Sequence, residues 1–352
     1  MRILIDIGHP GHVHLFRPFA QLMLKKGHKI LFTCRQKEFE IELLKAAGFD
    51  FISFGKHYKT KKGKLWGLIK FDFLMWKTAK KFKPDIFLSH GSFYAAHASF
   101  FIRKPHVSME DSGNMEQIRL YLPFTKAVLT PFELPEELGY KQIRYHAYHE
   151  LAYLHPKYFS PNRKVLQNLG ISESNEFALL RFVSWNATHD VGQGGFSDSE
   201  KVNIVDIISR DMKVFISSEG AVPDSLKKFL IKINPEIMHH VLSFASIVVS
   251  EGATMASEAG VLGTPTIYVN SLPRCYNEDQ EKYGTVFNFR SEEGVRDKIE
   301  ELLISTNKKK NLNQKIIDDK IDLTALLVWF ISEWPKSFEI MKENPDYQYK
   351  FK

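Results

Sequence analysis

The chain has 352 residues, of which 44% are hydrophobic and 25% are charged, a composition typical of a soluble globular protein large enough for two α/β domains. It contains only two cysteines, Cys34 and Cys275, which exclude a disulfide framework and whose spacing fits no zinc site. We therefore expect a reducing, cytoplasmic environment.

Charge and hydrophobicity limit the partners further. The N-terminus opens directly into a strand pattern, without the basic and apolar regions of a secretory signal, and the longest apolar runs fall far short of the ~20 residues of a membrane-spanning helix. A net charge of +7 indicates affinity for anions such as phosphorylated small molecules, anionic lipid or nucleic acid. Because no nucleic-acid-binding motif accompanies it, we expect no nucleic-acid partner.

The N-terminal half alternates strand-like and helix-like stretches. Short apolar runs predict strands at Arg2–Ile7, Lys29–Cys34, Phe51–Phe54, Asp85–Ser89, His106–Met109 and Ala127–Thr130, the last of which closes the series. Helical spacing follows the first two strands, at Leu15–Lys26 and Phe39–Ala47, and each of these helices stops at a glycine. This order predicts a parallel, doubly wound sheet.

The pattern restarts after a Tyr- and His-rich stretch, Tyr140–Tyr158. The second half has a predicted helix at Ala256–Val261 and predicted strands at Phe177–Val183, Lys213–Ser217, Ile247–Ser250 and Thr266–Val269. We expect a first domain over 1–158 and a second over 159–320. A helix at Leu323–Lys342, within 321–352, is expected to pack back on the first domain.

Glycines and histidines follow the first predicted strand, in Gly8–His14. Ligands of parallel sheets bind beyond the carboxyl ends of the strands. Gly11 lets the backbone approach a substrate, and His9 and His12 titrate near neutral pH. His12 and His14 could begin a metal site, but the loop holds no carboxylate or thiol to complete it, so we expect no metal. The plain alternative is a tight turn with hydrogen-bonded histidines.

A second candidate segment, Ser250–Pro265, follows an apolar strand and opens a helix. Its backbone N–H groups could cradle a diphosphate, helped by two hydroxyls. Glu258 lies one turn after Thr254 on the same helix face, where a carboxylate can accept both hydroxyls of a ribose. The alternative is that Thr254 only caps the helix and Glu258 is exposed. The diphosphate-binding residues would be Ser250, Gly252, Ala253 and Thr254.

Two further segments have both a functional and a plain interpretation. Arg181–Gly195 follows the first strand of the second domain and offers hydrogen-bond donors for a nucleotide, at Arg181, Ser184 and Asn186, but such a loop can equally be only solvent-exposed. Lys56–Lys83 combines ten lysines with aromatic and aliphatic residues, which suits a membrane interface or an acidic lipid-linked acceptor. Its alternative is a helix that packs on the sheet and keeps its lysines solvated.

The segment Met238–Pro265, with Gly-Ala-x-x-x-Ser-Glu-Ala and then Gly-x-Pro, resembles the donor-binding motif of GT-B enzymes. It is particularly similar to the muramyl-peptide N-acetylglucosaminyltransferases and the hydrolysing UDP-N-acetylglucosamine 2-epimerases. The resemblance implies two Rossmann-like, doubly wound parallel-sheet domains facing a central cleft, with a C-terminal helix that crosses back to the first domain. It also implies that Glu258 binds the ribose and that Gly252–Thr254 binds the diphosphate of a UDP-sugar.

The N-terminal Gly-x-x-Gly-His resembles the transferases, and implies that His12 lies on the acceptor side as a general base. The pattern as a whole is most similar to a bacterial and archaeal family, domain of unknown function 354. By the same resemblance Glu110 and Glu116 match the carboxylates of the epimerases. However, Ser92 replaces their Asp, and Arg181–Asn186 replaces their His-Arg-Arg-Glu-Asn motif, unless His189 substitutes for one missing group.

The sequence therefore predicts a metal-independent glycosyltransferase that uses a UDP-sugar, needs no cofactor, and serves cell-surface polysaccharide or glycoconjugate synthesis. The base would be His12 or, second, Glu110, and Arg181 would stabilise the leaving nucleotide. The alternatives are a hydrolysing epimerase that uses Glu110 and Glu116, and a non-catalytic sugar-nucleotide-binding subunit. The remaining polar residues near the motifs are expected to contact sugar or acceptor: His9, Ser92, Asn114, Arg119, Asn277 and Gln280.

Overall fold

A computed structural model describes the chain except for residues 59, 173–175, 185–193 and 306–311. The chain divides into two units, which we call unit 1 and unit 2. Unit 1 comprises Met1–Tyr158 together with Lys320–Lys352, and unit 2 comprises Phe159–Asp319. Each unit is built on one parallel sheet, so the predicted fold of two doubly wound α/β domains is confirmed.

Strands and helices alternate along unit 1. Its elements are β1 (Arg2–Ile7), α1 (Pro10–Lys25), β2 (Lys29–Gln36), α2 (Glu40–Ala46), β3 (Phe51–Lys56), α3 (Lys61–Phe82), β4 (Ile86–His90), α4 (Phe93–Phe101), β5 (His106–Met109), α5 (Met115–Tyr121), β6 (Ala127–Pro131), β7 (Gln142–Tyr145) and α6 (Leu151–Leu154). All seven strands are parallel, in the order β3-β2-β1-β4-β5-β6-β7. In the central strands, every residue of β1 after Arg2 and every residue of β4 before His90 is buried, because helices cover both faces of the sheet.

Unit 2 repeats this construction with fewer strands. Its elements are β8 (Phe177–Phe182), α7 (Asp198–Ile208), β9 (Lys213–Ser218), α8 (Met238–Phe244), β10 (Ile247–Ser250), α9 (Ala253–Val261), β11 (Thr266–Val269), α10 (Cys275–Glu281), β12 (Val286–Phe289), α11 (Val295–Ser305) and α12 (Leu312–Asp319). Its parallel sheet has the order β12-β11-β10-β8-β9.

Two strands were missed by the sequence prediction, β7 in unit 1 and β12 in unit 2. Both lie at the edge of their sheet and have four residues. An edge strand pairs on one side only, so it needs less apolar sequence than a central strand, and β7 contributes only Ile143 as a buried aliphatic side chain. We expected Ala127–Thr130 to be the last strand of the first sheet, but β7 follows it at the edge.

The first helix begins earlier than its hydrophobic spacing indicated. Pro10 occupies the first turn of α1, where its missing N–H costs nothing, and the Nδ1 atom of His9 caps the helix by accepting from the Gly11 N–H. His12 and His14 consequently lie on a helix, about 200° apart around its axis, and not on a common loop. The two rings therefore cannot share one metal ion, and the hypothesis of a metal site at His12 and His14 is wrong.

The C-terminal segment returns to unit 1, as the predicted fold requires. It forms α13 (Leu323–Ser332), which packs on α1 and α6, and α14 (Lys336–Glu343). A single helix over Leu323–Lys342 was expected, but Pro335 lacks the N–H that a continuous helix would use. Asp322 caps α13 by accepting from the Ala325 N–H at 2.9 Å, and also accepts from the Tyr158 hydroxyl at 2.9 Å.

Among the described residues, no helix combines the length and the apolar character needed to cross a bilayer.

Candidate functional site

The carboxyl ends of β1 and β4 form the natural binding position of unit 1. The chain runs outward from β1 to one side of the sheet and from β4 to the other, so a crevice opens between the loops that follow these two strands. His9 and His12 follow β1, and His90 is the last residue of β4. Loops after β5 and β7 reach the same edge of the sheet and bring Asp111 and His149.

A buried ion pair supports this edge from below. The Arg35 guanidinium donates through Nη1 to both oxygens of Asp6 at 2.7 Å, and the Thr33 hydroxyl donates to the same carboxylate at 2.7 Å. Ser92 also donates to Asp6, at 2.5 Å, while its oxygen caps α4. Ser92, expected to contact sugar or acceptor, is buried in this network. Removing either partner of the ion pair would leave a buried charge uncompensated, at a cost of about 3–5 kcal/mol.

The ring of His12 is held in one orientation. Its Nδ1 atom accepts a hydrogen bond from the Gly8 N–H at 3.2 Å, and its ring stacks on that of His90 with centroids 4.4 Å apart. Because Nδ1 accepts, the proton of the neutral ring resides on Nε2. In this arrangement Nε2 of His12 is a hydrogen-bond donor, and His12 can take up a proton only at Nδ1, with loss of the bond from Gly8.

A chain of polar contacts continues from His90. Its Nε2 lies 3.0 Å from Asp111 Oδ1, and Nδ1 of His149 lies 2.8 Å from Asp111 Oδ2. Asp111 thus stands between two imidazoles and contacts each with a different oxygen. The Nε2 atom of His149 is buried and makes no hydrogen bond with any described residue.

Three groups in this row of polar contacts, His12, His90 and Asp111, have shifted pKa values. Burial lowers the pKa of His12 well below its ordinary 6.5, and charge on His90 and His9 acts in the same direction. Burial would also lower the pKa of His90, but the hydrogen bond and charge of Asp111 outweigh it and the net pKa is raised. Burial would raise the pKa of Asp111, but His149 and His90 hold it well below 3.8. A neutral ring therefore stacks on one that favours the charged form.

Glu110 lies beside these polar groups, and both of its carboxylate oxygens accept hydrogen bonds. Its Oε1 accepts from the N–H and the hydroxyl of Ser112, at 2.8 and 2.6 Å, and its Oε2 accepts from the Tyr121 hydroxyl at 2.8 Å. Gly91, in the left-handed region with φ of +59°, brings the backbone close: a Cβ there would lie 3.3 Å from Glu110 Oε2. Burial and the charge of Glu110 raise the pKa of Tyr121, which stays a donor.

The other predicted residues of unit 1 lie at its surface. Asn114 caps α5 by accepting from the Gln117 N–H at 3.3 Å, and Glu116 and Arg119 are exposed on that helix. Glu110 is buried, so the two carboxylates expected to act as a pair stand in different surroundings.

In unit 2 the equivalent crevice opens between the loops after β8 and β10. Glu251 is fully buried there and accepts from the backbone N–H groups of Val183 and Phe196, each at 2.8 Å. It therefore fixes both ends of the segment that contains Asn186 and His189, which lie outside the described residues. Ser250 is also fully buried, and its hydroxyl bonds to the N–H and carbonyl of Gly252, so it shapes the turn from within.

The N-terminus of α9 is open. Gly252, which has no side chain, is the N-cap residue, no side chain among the described residues caps the helix, and Thr254 lies exposed in the first turn. The interpretation that Thr254 caps this helix is therefore wrong. Uncapped N–H groups and the helix dipole make such an end an anion-binding position. Ala253 is the first helical residue, so its N–H points outward along the helix axis.

Glu258 is buried on the same helix, with 7% of its surface exposed, which contradicts the alternative of an exposed glutamate. Its Oε1 lies 2.9 Å from Nε2 of His239, a buried residue of α8. A carboxylate held by one imidazole beside an open helix end is a pre-oriented hydrogen-bond acceptor.

Two other predicted residues of unit 2, Arg181 and Ser184, have internal partners. Arg181 donates to the Ser217 hydroxyl at 2.8 Å and forms an ion pair with Glu219, so its charge is already compensated. The N–H of Ser184 also approaches Glu219.

Asn277 and Gln280, expected to contact a sugar, are fully buried on α10 and brace α9. Asn277 donates to the Ala253 carbonyl at 3.2 Å, and Gln280 donates to the Ser257 hydroxyl at 2.7 Å. Both side chains therefore contact α9 and not the surface where a sugar was expected.

Sequence reasoning assigned no role to the central members of the unit 1 site: His90, Asp111, His149 and the Asp6–Arg35 pair. His90 and Asp111 each follow a correctly predicted strand, so a search for polar residues just beyond strand ends would have found them. His149 follows β7, which was not predicted, and no local pattern marks it.

Solved structures share the fold of this chain. A UDP-GlcNAc 2-epimerase from Neisseria meningitidis, bound to UDP-GlcNAc, matches with a TM-score of 0.65 at 14% identity, over 94% of this chain and 98% of that one. MnaA of S. aureus, solved with UDP, matches with 0.68 at 13%, over 96% and 97%. The glycosyltransferase VinC in complex with dTDP matches with 0.60 at 13%, over 96% and 100%. The fold is therefore that of the GT-B glycosyltransferases and epimerases.

The family follows from the sequence itself. The model of the protein family of unknown function DUF354 matches residues 1–331, so the chain belongs to that family. No functionally curated protein matches the sequence.

The polar chain of unit 1 predicts distinct titrations for its two stacked rings. In ¹H–¹⁵N correlation spectra of the imidazoles, His12 should stay neutral with its proton on Nε2, while His90 should titrate above 6.5. Asp111→Asn should lower the pKa of His90. The matched control is Asp72→Asn, which should affect His97, whose pKa Asp72 raises through a hydrogen bond. An unchanged His90 titration in Asp111→Asn would contradict this interpretation.

The sign of the stability effect follows from the same shifts. The raised pKa of His90 contributes stability that is complete below pH 6.5 and is lost as the pH rises through its folded-state pKa. The lowered pKa of Asp111 contributes stability that is present above pH 3.8 and is lost as the pH falls. The contribution of this pair should therefore be greatest between these two values.

Proposed function

We propose that the protein is a glycosyltransferase that takes a nucleotide-diphosphate sugar, with UDP as the preferred nucleotide, for the synthesis of a cell-surface polysaccharide or other glycoconjugate. The observation that carries this proposal is the open N-terminus of α9 with buried Glu258 one turn inside the same helix. The helix end suits a diphosphate, and the carboxylate suits the ribose hydroxyls. The fold supports it, since named relatives by structure were solved with UDP or dTDP.

In this proposal the helix amides stabilise the charge that develops on the leaving diphosphate, without a metal at that position. Arg181 could add to this only after release from Glu219. Unit 1 binds the acceptor and removes the proton from its hydroxyl. The candidate bases are still His12 and Glu110. His12 must exchange its Gly8 bond for that proton, and Glu110 must exchange a bond from Ser112 or Tyr121.

A hydrolysing epimerase is the second candidate, because the UDP-GlcNAc 2-epimerase from Neisseria meningitidis also shares this fold, with a TM-score of 0.65. Its chemistry would call on Glu110 and Glu116 as acid and base. Ser92 stands where the epimerases place an Asp, although its hydroxyl is bonded to Asp6, which supplies a carboxylate close by. Release of free sugar and UDP from UDP-GlcNAc alone would favour this candidate over transfer.

A non-catalytic sugar-nucleotide-binding subunit would share the α9 site but not use the polar chain of unit 1. The shifted pKa values of His12, His90 and Asp111 favour a catalytic role over a binding subunit, because groups with perturbed pKa values concentrate at catalytic sites. Variants of His12 and Glu110 that bind nucleotide and keep full function in a complementation test would favour the subunit.

The donor site is tested by thermal shift against UDP-, GDP-, CMP- and dTDP-sugars. We expect a UDP-sugar to stabilise the protein most, and Glu258→Gln to weaken its binding by about 10–100-fold, the range for one hydrogen bond to a charged group. Gln can retain the contact with His239, so the fold should survive. The matched control is Glu300→Gln on exposed α11. No response to any of these nucleotides, or an equal response in Glu258→Gln, would overturn the proposal.

We also propose that unit 1 contacts an anionic membrane through α3, which would suit a lipid-linked acceptor. Phe71, Met75 and Ala79 face the core, as the plain interpretation of this helix predicts. A second apolar face does not: its exposed fractions are 65% at Leu65, 60% at Trp66, 60% at Ile69 and 57% at Phe73.

These four side chains lie within an arc of about 100° on the helix. The same helix carries seven lysines and one aspartate, a difference of six positive charges. Exposed apolar side chains beside lysines fit the interface of an anionic bilayer.

The double substitution Ile69→Ser with Phe73→Ser should weaken binding to phosphatidylglycerol vesicles by at least ~10-fold, since each side chain that enters lipid contributes on the order of 1 kcal/mol. Co-sedimentation with the vesicles measures this. Phe132→Ser is the control, because Phe132 is 63% exposed on another part of unit 1. Equal binding of both variants and the wild type would count against the membrane contact.

A further inference from the structure

The cluster His90, Asp111 and His149 has the composition of a metal site. Each residue offers one ligand atom, and the three atoms lie within 4.8 Å of one another. His90 ends β4, and Asp111 and His149 follow β5 and β7, so the sheet brings the three side chains to one edge. We propose that this cluster binds a divalent first-row transition metal ion, with Zn²⁺ as the first ion to test.

The spacing of the donor atoms fits this class of ion. Two ligands at about 2.1 Å from one ion are about 3.4 Å apart at a tetrahedral angle and about 3.0 Å apart at a right angle, and both oxygens of one carboxylate can serve as ligands. The two imidazole–carboxylate contacts measure 3.0 Å at His90 and 2.8 Å at His149. Without metal, the same distances serve as hydrogen bonds to Asp111, so the ligands are held in place before the ion arrives.

The donor types decide which ion. Two imidazole nitrogens and one carboxylate suit Zn²⁺, Fe²⁺, Co²⁺ and Ni²⁺, whereas Mg²⁺ and Ca²⁺ prefer oxygen ligands. The ring of His149 contacts Asp111 through Nδ1, and its Nε2 is buried without a hydrogen-bond partner among the described residues, so hydrogen bonds do not satisfy this ring completely. Three protein ligands leave at least one coordination position for a water or a hydroxyl oxygen.

The surroundings would hold a bound ion in place and still leave it accessible to solvent. The side chains of His90 and Asp111 keep small exposed fractions, 13% and 18%, and that of His149 keeps 7%. The rings of His12 and Tyr145 stack on His90 and His149, with centroids 4.4 and 6.1 Å away, and limit how far the two ligands can rotate. The site is independent of the donor position proposed in unit 2, and neither proposal requires the other.

The test uses the full-length protein without an affinity tag. After removal of metal with a chelator, Zn²⁺ should bind with one equivalent per chain in a competition titration, and Co²⁺ at the same position should give the visible absorption of a nitrogen- and oxygen-ligated ion. Asp111→Asn and His149→Gln, which preserve size, should each weaken Zn²⁺ binding by more than the ~10–100-fold that loss of an outer-shell partner causes.

The matched control is His97→Gln. His97 is also an imidazole hydrogen-bonded to a carboxylate, Asp72, at 3.0 Å, but among the described residues no second imidazole contacts that carboxylate. This variant should bind Zn²⁺ as the wild type does. Failure of the metal-free wild type to take up one equivalent would overturn the proposal, whatever the variants do. Undiminished binding in both Asp111→Asn and His149→Gln, with folding verified by circular dichroism, would overturn it as well, and would leave the cluster as a hydrogen-bonded relay.

Discussion

Both units depend on one constraint: in a parallel sheet every strand ends at the same edge. Side chains that are far apart in sequence therefore meet wherever several strands end together, and the chain opens a crevice where neighbouring strands lead to opposite sides. In unit 1 this occurs between β1 and β4, and in unit 2 between β8 and β10. The polar groups described above follow these strands or their neighbours.

The two crevices are built for different chemistry. In unit 2 the open end of α9 offers backbone N–H groups, and buried Glu251 and Glu258 hold the turn and the adjacent acceptor. In unit 1 ionisable side chains replace backbone groups, and the Asp6–Arg35 pair fixes the strands beneath them. An anion is thus suited to unit 2, and proton transfer or metal binding to unit 1. This division agrees with a donor held by one unit and an acceptor held by the other.

The sequence was informative wherever a signal was local. Continuous apolar runs such as Ile247–Ser250 located the central strands, and the glycine turn before α9 located the open helix end. The edge strands β7 and β12 were not predicted, because an edge strand needs few apolar residues. Burial of Glu258 could not be predicted either, since it depends on His239 of another helix. Similarly, the proton position on His12 depends on one backbone N–H, that of Gly8, which leaves no trace in residue types.

The central claim, that the N-terminal amides of α9 hold the diphosphate, can be tested by removing one amide without disturbing the helix. Ala253→Pro does so, because proline is tolerated at the first helical position and Gly252 already has the extended backbone that precedes a proline, with φ of −92° and ψ of 121°. Asp198→Pro, at the first position of α7, is the matched control. Calorimetric titration with UDP-GlcNAc should show binding at least ~10-fold weaker in Ala253→Pro and unchanged in Asp198→Pro. Wild-type affinity in a folded Ala253→Pro variant would contradict the account.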